Sequence, residues 1–533
     1  MESFGKTIIA QLVEQGVTYF CMAPGFRSTP LTIAAAENSM AKTFVHFDER
    51  GLAFHALGVA KATKKPVAII VTSGTAVGNL MPAVMEAEAS GVPLILLTSD
   101  RPHELRDTMA NQTCDQIKIF GDFARYFFDL PTPSNELPQN FLATTIAQAV
   151  TRASFPIPGP VQINCPFREP FFSDKPSSAS NCDKIRYTTP RLKLDNPKLW
   201  AGDLQSIKKG VIILGKGAPD ATELSQNLGW PILPDITSGY RETAGNRAIT
   251  HYHHILKSLP ELETECILHL GDAVVSKPLM QWMAKAPRQI HVAEHPKRLD
   301  PNHRVTDRII CDPDLFCIEV AELLEPADPD WFEMWKNLST LAKSAIVLPK
   351  DSEPSVMEWI KEKKTALFFA NSMPIRDADM FFFPQNPCGP IFANRGLSGI
   401  DGNIATIAGI AQKHPVTAVI GDQTALHDLN SLAQLKKVKH RAQIVLINNG
   451  GGGIFSFVAI GERKDLLDPY FAAAHDKTFA NAAKMFGLSY ANSLEEDADI
   501  IELFTNREEN LQIHKQIDQQ IRDTLCSSFS TVS

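Results

Sequence analysis

The sequence predicts an α/β protein that consists of three domains, each with a parallel sheet. The chain has 533 residues, of which 44% are hydrophobic and 21% are charged. This is ordinary globular composition, and at roughly 150 residues per domain it allows three or four domains. Short apolar runs alternate with helical patterns along the chain. Runs of about four to six residues without polar alternation indicate strands that are buried on both faces, as in parallel α/β sheets.

These buried strands are predicted in all three parts of the chain. They cover residues 67–72, 93–98, 210–214, 265–270, 416–420 and 443–447. A helix is predicted over residues 425–435, between the last two strands. Strand, helix and strand in this order are typical of a right-handed βαβ unit.

Two shifts in composition divide the chain. Residues 173–193 are rich in Ser, Asn, Pro and Lys, and residues 349–354 read Pro-Lys-Asp-Ser-Glu-Pro, as linkers often do. They predict domains of ordinary size over residues 1–175, 194–348 and 353–533. The end of the chain, residues 526–533, is mostly Ser and Thr and is expected to fray.

Charge and cysteine content exclude several classes of protein. With 52 Lys and Arg against 60 Asp and Glu, the formal net charge is −8, which disfavours a nucleic-acid-binding chain. The nine cysteines are odd in number and include no Cys-x-x-Cys pair, so a reducing compartment fits best. No secretory signal is recognised, and no apolar run approaches the ~18 residues that span a bilayer. We expect a cytoplasmic protein without membrane insertion.

The third predicted domain carries the strongest chemical signal. One buried strand ends at Gly421-Asp422, and the next ends in Asn-Asn-Gly-Gly at residues 448–451. Parallel strands of a βαβ unit end at one edge of the sheet, so Asp422 and Asn449 should converge there. Carboxylate, amide and backbone carbonyl oxygens suit Mg²⁺, and glycines let a diphosphate approach the backbone. The run lacks the Gly-Lys-Ser/Thr of a P-loop, and an ordinary strand-end turn remains the alternative.

Longer stretches resemble one enzyme family. Gly-Asp followed at this distance by Asn-Asn resembles the metal–diphosphate motif of thiamine-diphosphate (ThDP) enzymes. Further motifs occur in family order over almost the whole chain, although the middle block matches more loosely. They resemble 2-succinyl-5-enolpyruvyl-6-hydroxy-3-cyclohexene-1-carboxylate (SEPHCHC) synthase of menaquinone biosynthesis, a family with the three-domain ThDP-dependent, decarboxylase-like architecture. The motifs are Ala23-Pro-Gly-Phe-Arg-Ser-Thr-Pro-Leu31, His46-Phe-Asp-Glu-Arg-Gly51, Ser99-Asp-Arg-Pro102, Glu104-Leu-Arg-Asp107, Ala110-Asn-Gln112, Asp115-Gln116, Asn394-Arg-Gly-Leu-Ser-Gly-Ile-Asp-Gly402, His427-Asp-Leu-Asn-Ser431, Gly452-Gly-Ile-Phe455 and Asn506-Arg-Glu-Glu-Asn510.

The resemblance implies a reaction and an assembly. The family enzyme decarboxylates 2-oxoglutarate and adds the succinyl carbanion to isochorismate in a Stetter-type 1,4-addition. The cofactors would be ThDP and Mg²⁺, or Mn²⁺ in its place. ThDP would lie between the first domain of one subunit and the third domain of another, so a homodimer would be the smallest active unit, and a homotetramer is common.

The resemblance also assigns the cofactor site. Glu49 matches the catalytic glutamate, which faces N1′ of the aminopyrimidine and favours its imino tautomer. Asp422, Asn449 and the carbonyl group of Gly451 match the metal ligands. Taken without the family, Glu49 would pass as a surface charge after a strand. Other cofactor contacts are Ile400, Gly421, Asn448, Gly450, Ile454 and Phe455.

Both substrates are dianions, so a chain of negative net charge needs a local group of cations. Arginine suits this purpose because its planar guanidinium pairs with carboxylates in a bidentate way. Taken singly, each candidate could equally be a surface charge, a turn residue or a cap. The positions that match substrate or intermediate contacts of the family are Arg27, Arg101, Asn111, Gln112, Lys277, Ser372, Arg376 and Arg395.

Two positions depart from the family pattern, since Phe26 replaces a usual Ser and Pro278 replaces a frequent Arg. Gln423 replaces the Gly of many ThDP enzymes, at a position where this family tolerates variation. We therefore expect activity, with an altered affinity for isochorismate. Two other functions stay open, namely another ThDP-dependent 2-oxoacid decarboxylase or carboligase and a non-catalytic protein of the same fold. The set of arginines argues against a small monoacid substrate.

Overall fold

The structure is a computed structural model, and it describes residues 1–172, 177–243, 245–384 and 386–529, without the side chains of Glu242 and Phe529. Residue 175, where the first domain was predicted to end, lies outside these residues. So do residues 173–176 of the first predicted linker and residues 530–533 of the predicted fraying end. In the described part of the chain, the strands form three sheets. Every neighbouring pair is parallel, which confirms the predicted fold class.

The first sheet contains strands β1 to β6. They are β1 Tyr19–Met22, β2 Lys42–Val45, β3 Val67–Val71, β4 Leu94–Asp100, β5 Tyr126–Asp129 and β6 Pro160–Pro166. They lie in the order β2-β1-β3-β4-β6-β5. The accompanying helices are α1 Glu2–Glu14, α2 Thr29–Glu37, α3 Glu49–Thr63, α4 Thr75–Gly78, α5 Met81–Ser90 and α6 Phe141–Ser154.

The second sheet contains strands β7 to β11. They are β7 Gly210–Leu214, β8 Ile232–Pro234, β9 Cys266–Leu270, β10 Arg288–Ala293 and β11 Asp307–Ile310. They lie in the order β11-β10-β9-β7-β8. Its helices are α7 Pro197–Gln205, α8 Thr222–Leu228, α9 Tyr252–Ser258, α10 Lys277–Met283, α11 Pro313–Ala321 and α12 Asp330–Ala345.

The third sheet contains strands β12 to β17. They are β12 Ala366–Phe369, β13 Ile391–Phe392, β14 Val416–Gly421, β15 Ala442–Asn448, β16 Tyr490–Ala491 and β17 Ile500–Phe504. They lie in the order β13-β12-β14-β15-β17-β16. Its helices are α13 Val356–Ile360, α14 Met373–Phe381, α15 Asn403–Ile410, α16 Asp422–His427, α17 Lys464–Leu466, α18 Ala480–Met485 and α19 Arg507–Phe529.

The predicted buried strands are confirmed as β3, β4, β7, β9, β14 and β15, each within two residues of its expected ends. The predicted helix over residues 425–435 is wrong in its extent. Helix α16 begins earlier, at Asp422, and a 3₁₀ helix covers Leu429–Lys437. Asp428 separates the two, because its carboxylate accepts hydrogen bonds from the backbone N–H of Ala405 at 2.9 Å and from the Ser431 hydroxyl at 2.7 Å.

Helices α3 and α15 join the first and third domains through two glycines. A Cβ atom at Gly58 would lie 2.1 Å from the carbonyl oxygen of Thr406, and one at Gly409 would lie 2.2 Å from the carbonyl oxygen of His55. Such distances leave no room for a methyl group, so the two backbones are in direct contact. This contact holds the middle of α3 against α15 of the third domain.

The middle and third domains share a buried ionic contact. The Arg241 guanidinium, whose side chain is fully buried, donates from Nη2 to Oδ1 of Asp379 at 3.1 Å and from Nη1 to its carbonyl oxygen at 2.8 Å. The Tyr252 hydroxyl donates to the same carboxylate at 2.7 Å. These bonds tie α9 and the chain after β8 to α14. Among the described helices, none is long and apolar enough to cross a membrane.

Candidate active site

The ends of β14 and β15 lie together, as predicted. The two strands pair in parallel, with Gly421 opposite Ile447. The backbone N–H of Asn449 donates to Oδ2 of Asp422 at 3.2 Å, and the N–H of Gly451 donates to the same oxygen at 2.9 Å. The expected convergence of Asp422 and Asn449 is therefore confirmed.

Glycine is required in the turn that follows Asn449. Gly450 has φ +73° and Gly451 has φ +147°, a range that L side chains rarely adopt. A Cβ atom at Gly451 would also lie 2.6 Å from the carbonyl oxygen of Ala472. The N–H of Gly450 donates to the side-chain oxygen of Asn448 at 3.2 Å, which closes the turn.

The oxygens at this turn suit a hard cation. Oδ1 of Asn449 is buried and has no hydrogen-bond partner among the described residues. Asp422 is only 2% exposed, and burial raises the pKa of its carboxyl group. A cation would satisfy the amide oxygen and favour the charged carboxylate.

No group of three or more His, Cys, Asp or Glu residues that could hold a metal occurs within the described ranges. A metal at this turn would therefore depend on one carboxylate, one amide oxygen, the carbonyl oxygen of Gly451 and oxygens of a bound diphosphate. This donor set fits Mg²⁺ better than a softer metal.

The side chain of Asn448 is hydrogen-bonded to a buried glutamate, Glu502, that sequence analysis missed. Its Nδ2 donates to Oε1 of Glu502 at 2.6 Å. Oε2 of Glu502 accepts from the N–H of Phe479 at 2.9 Å and from the Tyr490 hydroxyl at 2.8 Å. An acidic residue inside the apolar run of β17 was the available signal, because a buried carboxylate needs such partners.

Two of the apolar candidates directly follow the turn, and the third, Ile400, lies in the segment before α15. Ile454 and Phe455 belong to a 3₁₀ helix, Gly453–Phe457, and both are half-buried. The ring of Phe455 meets that of Phe471 edge to face, with 5.8 Å between centroids. Ile400 is also half-buried, and the carbonyl group of the preceding Gly399 accepts from Nδ2 of Asn371 at 2.7 Å.

The third domain gathers two of the predicted arginines. Nη1 of Arg395 donates to Oδ1 of Asn371 at 2.9 Å, and Arg376 donates to the carbonyl oxygen of Ser372. Burial and the charge of Arg395 lower the pKa of Arg376. Ser372 has φ +74°, a strained value for a residue with a side chain. We call Ser372, Arg376 and Arg395 the third-domain cluster.

The first domain gathers a second polar group. Arg101 donates to the Ser73 hydroxyl, and Nε2 of Gln112 donates to the carbonyl oxygen of Ser73 at 2.9 Å. Nη1 of Arg27 donates to the carbonyl oxygen of Phe167 at 2.8 Å, and burial and the charge of Arg101 lower the pKa of Arg27. Asn111 is exposed beside Gln112. We call Arg27, Arg101, Asn111 and Gln112 the first-domain cluster.

The departure at Phe26 faces solvent. Its side chain is 65% exposed and meets the ring of Phe171 edge to face, with 4.8 Å between centroids. The guanidinium carbon of Arg27 lies 4.6 Å from the centroid of the same Phe171 ring. Phe26 therefore extends an aromatic surface beside Arg27 where a hydroxyl was expected.

Glu49 is the first residue of α3. The preceding Asp48 caps the helix, because its Oδ1 accepts from the N–H groups of Arg50 at 3.0 Å and Gly51 at 3.4 Å. Nη2 of Arg50 donates to the carbonyl oxygen of His427 at 2.9 Å. The Glu49 carboxylate itself makes no hydrogen bond or ion pair with any residue that the structure describes, so it is available to a ligand.

The single chain does not bring all the candidates together. Lys277 is exposed at the start of α10, where Ser276 caps the helix. Across the described ranges, no hydrogen bond or ion pair joins Lys277, the first-domain cluster and the third-domain cluster to one another.

Sequence analysis also missed the residue that anchors the chain after Arg395. Glu86, which is buried on α5, accepts hydrogen bonds from the N–H groups of Gly396 at 2.9 Å and Leu397 at 2.7 Å. Lys61 lies 3.5 Å from the same carboxylate and donates to Oδ1 of Asn394 at 2.7 Å. A glutamate on an otherwise apolar helix face was the only sequence signal.

Comparison with known proteins identifies the family. Residues 2–119 match the family described as thiamine pyrophosphate enzyme, N-terminal TPP binding domain, and residues 185–367 match the middle domain of thiamine pyrophosphate. The chain is 39% identical to the 2-succinyl-5-enolpyruvyl-6-hydroxy-3-cyclohexene-1-carboxylate synthase of Rubrobacter xylanophilus, over 96% of this chain and 97% of that protein. This chain belongs to the SEPHCHC synthase family. The synthase of Salinibacter ruber is 36% identical to it, over 97% of this chain and 96% of that protein.

Membership in the SEPHCHC synthase family confirms that the chain is a ThDP-dependent enzyme, and it supports a role in menaquinone biosynthesis. A solved structure shows the same fold. Benzoylformate decarboxylase from Polynucleobacter necessarius superposes with a TM-score of 0.73 over 95% of this chain and 99% of that chain. Its sequence identity of 14% is low, so this likeness concerns the fold alone.

Proposed function

We propose that this member of the SEPHCHC synthase family decarboxylates 2-oxoglutarate and adds the resulting succinyl group to isochorismate by 1,4-addition. The product would be 2-succinyl-5-enolpyruvyl-6-hydroxy-3-cyclohexene-1-carboxylate, an intermediate of menaquinone biosynthesis. The observation that carries the proposal is the buried, unpaired Oδ1 of Asn449 beside Asp422, in a chain that matches such synthases along its length.

Asp422, Asn449 and the carbonyl group of Gly451 would bind Mg²⁺, or Mn²⁺ in its place. Gly421 and Gly450 would let oxygens of the diphosphate approach the backbone, and the Asn448 side chain would hold the turn through its bonds with Gly450 and Glu502. Bound ThDP supplies a nucleophilic carbon and an electron sink, which no side chain offers. The half-buried Ile400, Ile454 and Phe455 would form the apolar wall around the cofactor ring.

Glu49 would hold a proton at N1′ of the aminopyrimidine. A carboxyl group at this atom favours the imino tautomer, and the base needed for proton removal is then present at the reacting carbon. The absence of partners for Glu49 among the described residues supports this role.

The clusters of cations would bind the two dianions. The first-domain cluster offers Arg27 and Arg101, and the third-domain cluster offers Arg376 and Arg395. Each pair contains partly desolvated guanidinium groups whose mutual repulsion a carboxylate would relieve. Ser372, Asn111 and Gln112 would add neutral hydrogen bonds, and Lys277 would add a further cation.

We also propose that the active unit is a homodimer or a homotetramer. Glu49 and the first-domain cluster would face the metal turn and the third-domain cluster of a partner chain. The lack of a contact between the two clusters within the described chain supports this arrangement. The assembly would act in the cytoplasm, without nucleic acid and without insertion into a membrane.

A coupled assay tests the proposed function. Purified protein, ThDP and Mg²⁺ should release CO₂ from 2-oxoglutarate and consume isochorismate in equal amounts. Omission of ThDP or treatment with a chelator should stop both. Turnover of pyruvate in place of 2-oxoglutarate would point to another ThDP-dependent carboligase. Binding of ThDP without any turnover would point to a non-catalytic protein.

A further inference from the structure

A buried glutamate, Glu353, is hydrogen-bonded to the side chain of Asn449 in the turn after β15. Glu353 precedes α13, in the segment that sequence analysis assigned to a linker, yet it is only 2% exposed. Its Oε1 accepts a hydrogen bond from Nδ2 of Asn449 at 3.0 Å. The two residues are 96 positions apart in the chain.

Glu353 is itself held by two residues at the C-terminal end of the third domain. The Thr505 hydroxyl donates to Oε1 at 2.8 Å, and Nδ2 of Asn510 donates to Oε2 at 2.9 Å. Thr505 directly follows β17, and Asn510 lies in the first turns of α19. Three donors thus converge on one carboxylate, and both of its oxygens act as acceptors.

An amide side chain has two ends of opposite character. The NH₂ group only donates and the oxygen only accepts, so a neighbouring acceptor decides which way the group faces. Because Glu353 binds the NH₂ group of Asn449, the oxygen must face the opposite side. That oxygen is the buried atom without a partner, and it belongs to the residue whose backbone N–H is bonded to the Asp422 carboxylate.

We propose that Glu353 is a positioning residue that selects the orientation of the Asn449 amide and so prepares its oxygen to bind the metal. The inference rests on the metal site of the proposed function. Residues behind a metal ligand commonly fix its orientation, and their loss typically weakens metal binding about 10- to 100-fold. Glu353 would not touch metal, cofactor or substrate.

The test removes the acceptor and then removes the need for it. Glu353→Leu offers no acceptor to the Asn449 amide, so nothing selects the side to which its oxygen turns; a glutamine would not serve, because its oxygen could still accept from Nδ2 of Asn449. In the double variant Glu353→Leu with Asn449→Asp, both ends of the side chain at 449 are oxygens, so one of them faces the metal in either orientation. Glu358→Leu, on the exposed face of α13, is the matched control.

The readout is the Kd of Mn²⁺ in the presence of ThDP, from the electron paramagnetic resonance signal of free Mn²⁺. We expect Glu353→Leu to raise the Kd about 10- to 100-fold, the control to stay within about twofold of the unmutated protein, and the double variant to recover most of the affinity. Recovery of Mn²⁺ affinity would show that the orientation of the Asn449 amide, and not general damage to the site, causes the loss. A second substitution does not repair a misfolded site.

Two results would overturn the proposal. One is a folded Glu353→Leu variant that binds Mn²⁺ as the unmutated protein does. The other is a double variant that binds no better than Glu353→Leu, which also covers the case in which the single variant fails to fold. If the unmutated protein binds neither Mn²⁺ nor ThDP, the proposed function fails instead.

Discussion

The backbone N–H of Asn449 donates a hydrogen bond to the carboxylate of Asp422 at 3.2 Å, across 27 positions of the chain. With the matching bond from Gly451, it fixes the carboxylate at the edge of the third sheet. The turn therefore has a defined shape, and a diphosphate-bound cation would need little rearrangement of its ligands.

Substitution of Asp422 should remove metal binding while the fold persists. In Asp422→Asn the side-chain oxygen can still accept from the N–H groups of Asn449 and Gly451, but the negative charge is lost. We expect the Kd for Mg²⁺ to rise at least about 100-fold in titration calorimetry with ThDP present. Asp476→Asn, at an exposed position nearby, should bind normally. Unchanged Mg²⁺ affinity in Asp422→Asn would contradict the assignment.

Glu49→Gln should lower the catalytic rate and leave the binding of ThDP and Mg²⁺ nearly unchanged. The amide keeps the size of the side chain but cannot hold and release the proton at N1′, so we expect kcat to fall about 10²- to 10⁴-fold. The affinity for Mg²⁺ and ThDP, from quenching of tryptophan fluorescence, should change little. A variant with nearly full activity would exclude Glu49 as the catalytic acid.

The contact between α3 and α15 predicts an unusual effect of alanine at Gly58. Alanine in place of glycine within a helix normally stabilises a protein by up to about 1 kcal/mol. At Gly58 the new methyl group would meet the carbonyl oxygen of Thr406, so we expect a loss of about 1–3 kcal/mol in the free energy of unfolding. Gly202→Ala, on α7 with open space around it, is the control and should be neutral or stabilising. Denaturation by urea measures both, and equal effects would argue against tight packing.

A buried histidine of the middle domain should make the fold sensitive to acid. Burial, with smaller contributions from His269 and Arg308, lowers the pKa of His291 to about 3, and Nε2 of His291 is 2.8 Å from the carbonyl oxygen of Gly271. In the unfolded chain His291 becomes protonated near pH 6.5, whereas in the folded chain it becomes protonated only near pH 3. The stability that His291 provides is therefore complete above pH 6.5 and is lost progressively as the pH falls towards 3.

His291→Gln removes this titration and keeps a donor for Gly271. Between pH 6 and pH 4, the stability of the variant should fall less steeply than that of the unmutated protein, by up to about 1.4 kcal/mol per pH unit. Calorimetric melting at several pH values measures the difference. Parallel curves for the two proteins would show that His291 is not the titrating group.

The sequence predicted those parts of the fold that depend on neighbours along the chain. Buried strands such as β7 and β14 are short apolar runs, and parallel packing requires that pattern on both faces. The meeting of Asp422 and Asn449 followed from the same pattern, because the ends of adjacent parallel strands share one edge. The family resemblance added candidate residues whose proposed roles have no local pattern, such as Glu49.

Contacts between distant segments were beyond sequence analysis. The helix after Asp422 was misplaced because Asp428 is bonded to Ala405, on another helix. Glu353 appeared to be part of a linker because its partners lie far along the chain, at Asn449, Thr505 and Asn510. Proline and charge in a short segment give no sign that one carboxylate is buried.

The most direct test of the account asks whether Glu49 and the metal site of one active centre come from different chains. Glu49→Gln and Asp422→Asn chains, each nearly inactive alone, are produced together with different tags, and the hybrid assembly is purified through both. If the site is shared, a hybrid dimer contains one intact centre, and we expect up to about half of the unmutated activity per dimer. If both residues act within one chain, every centre in the hybrid is damaged. Hybrids that contain both chains and remain as inactive as the parents would therefore contradict the account.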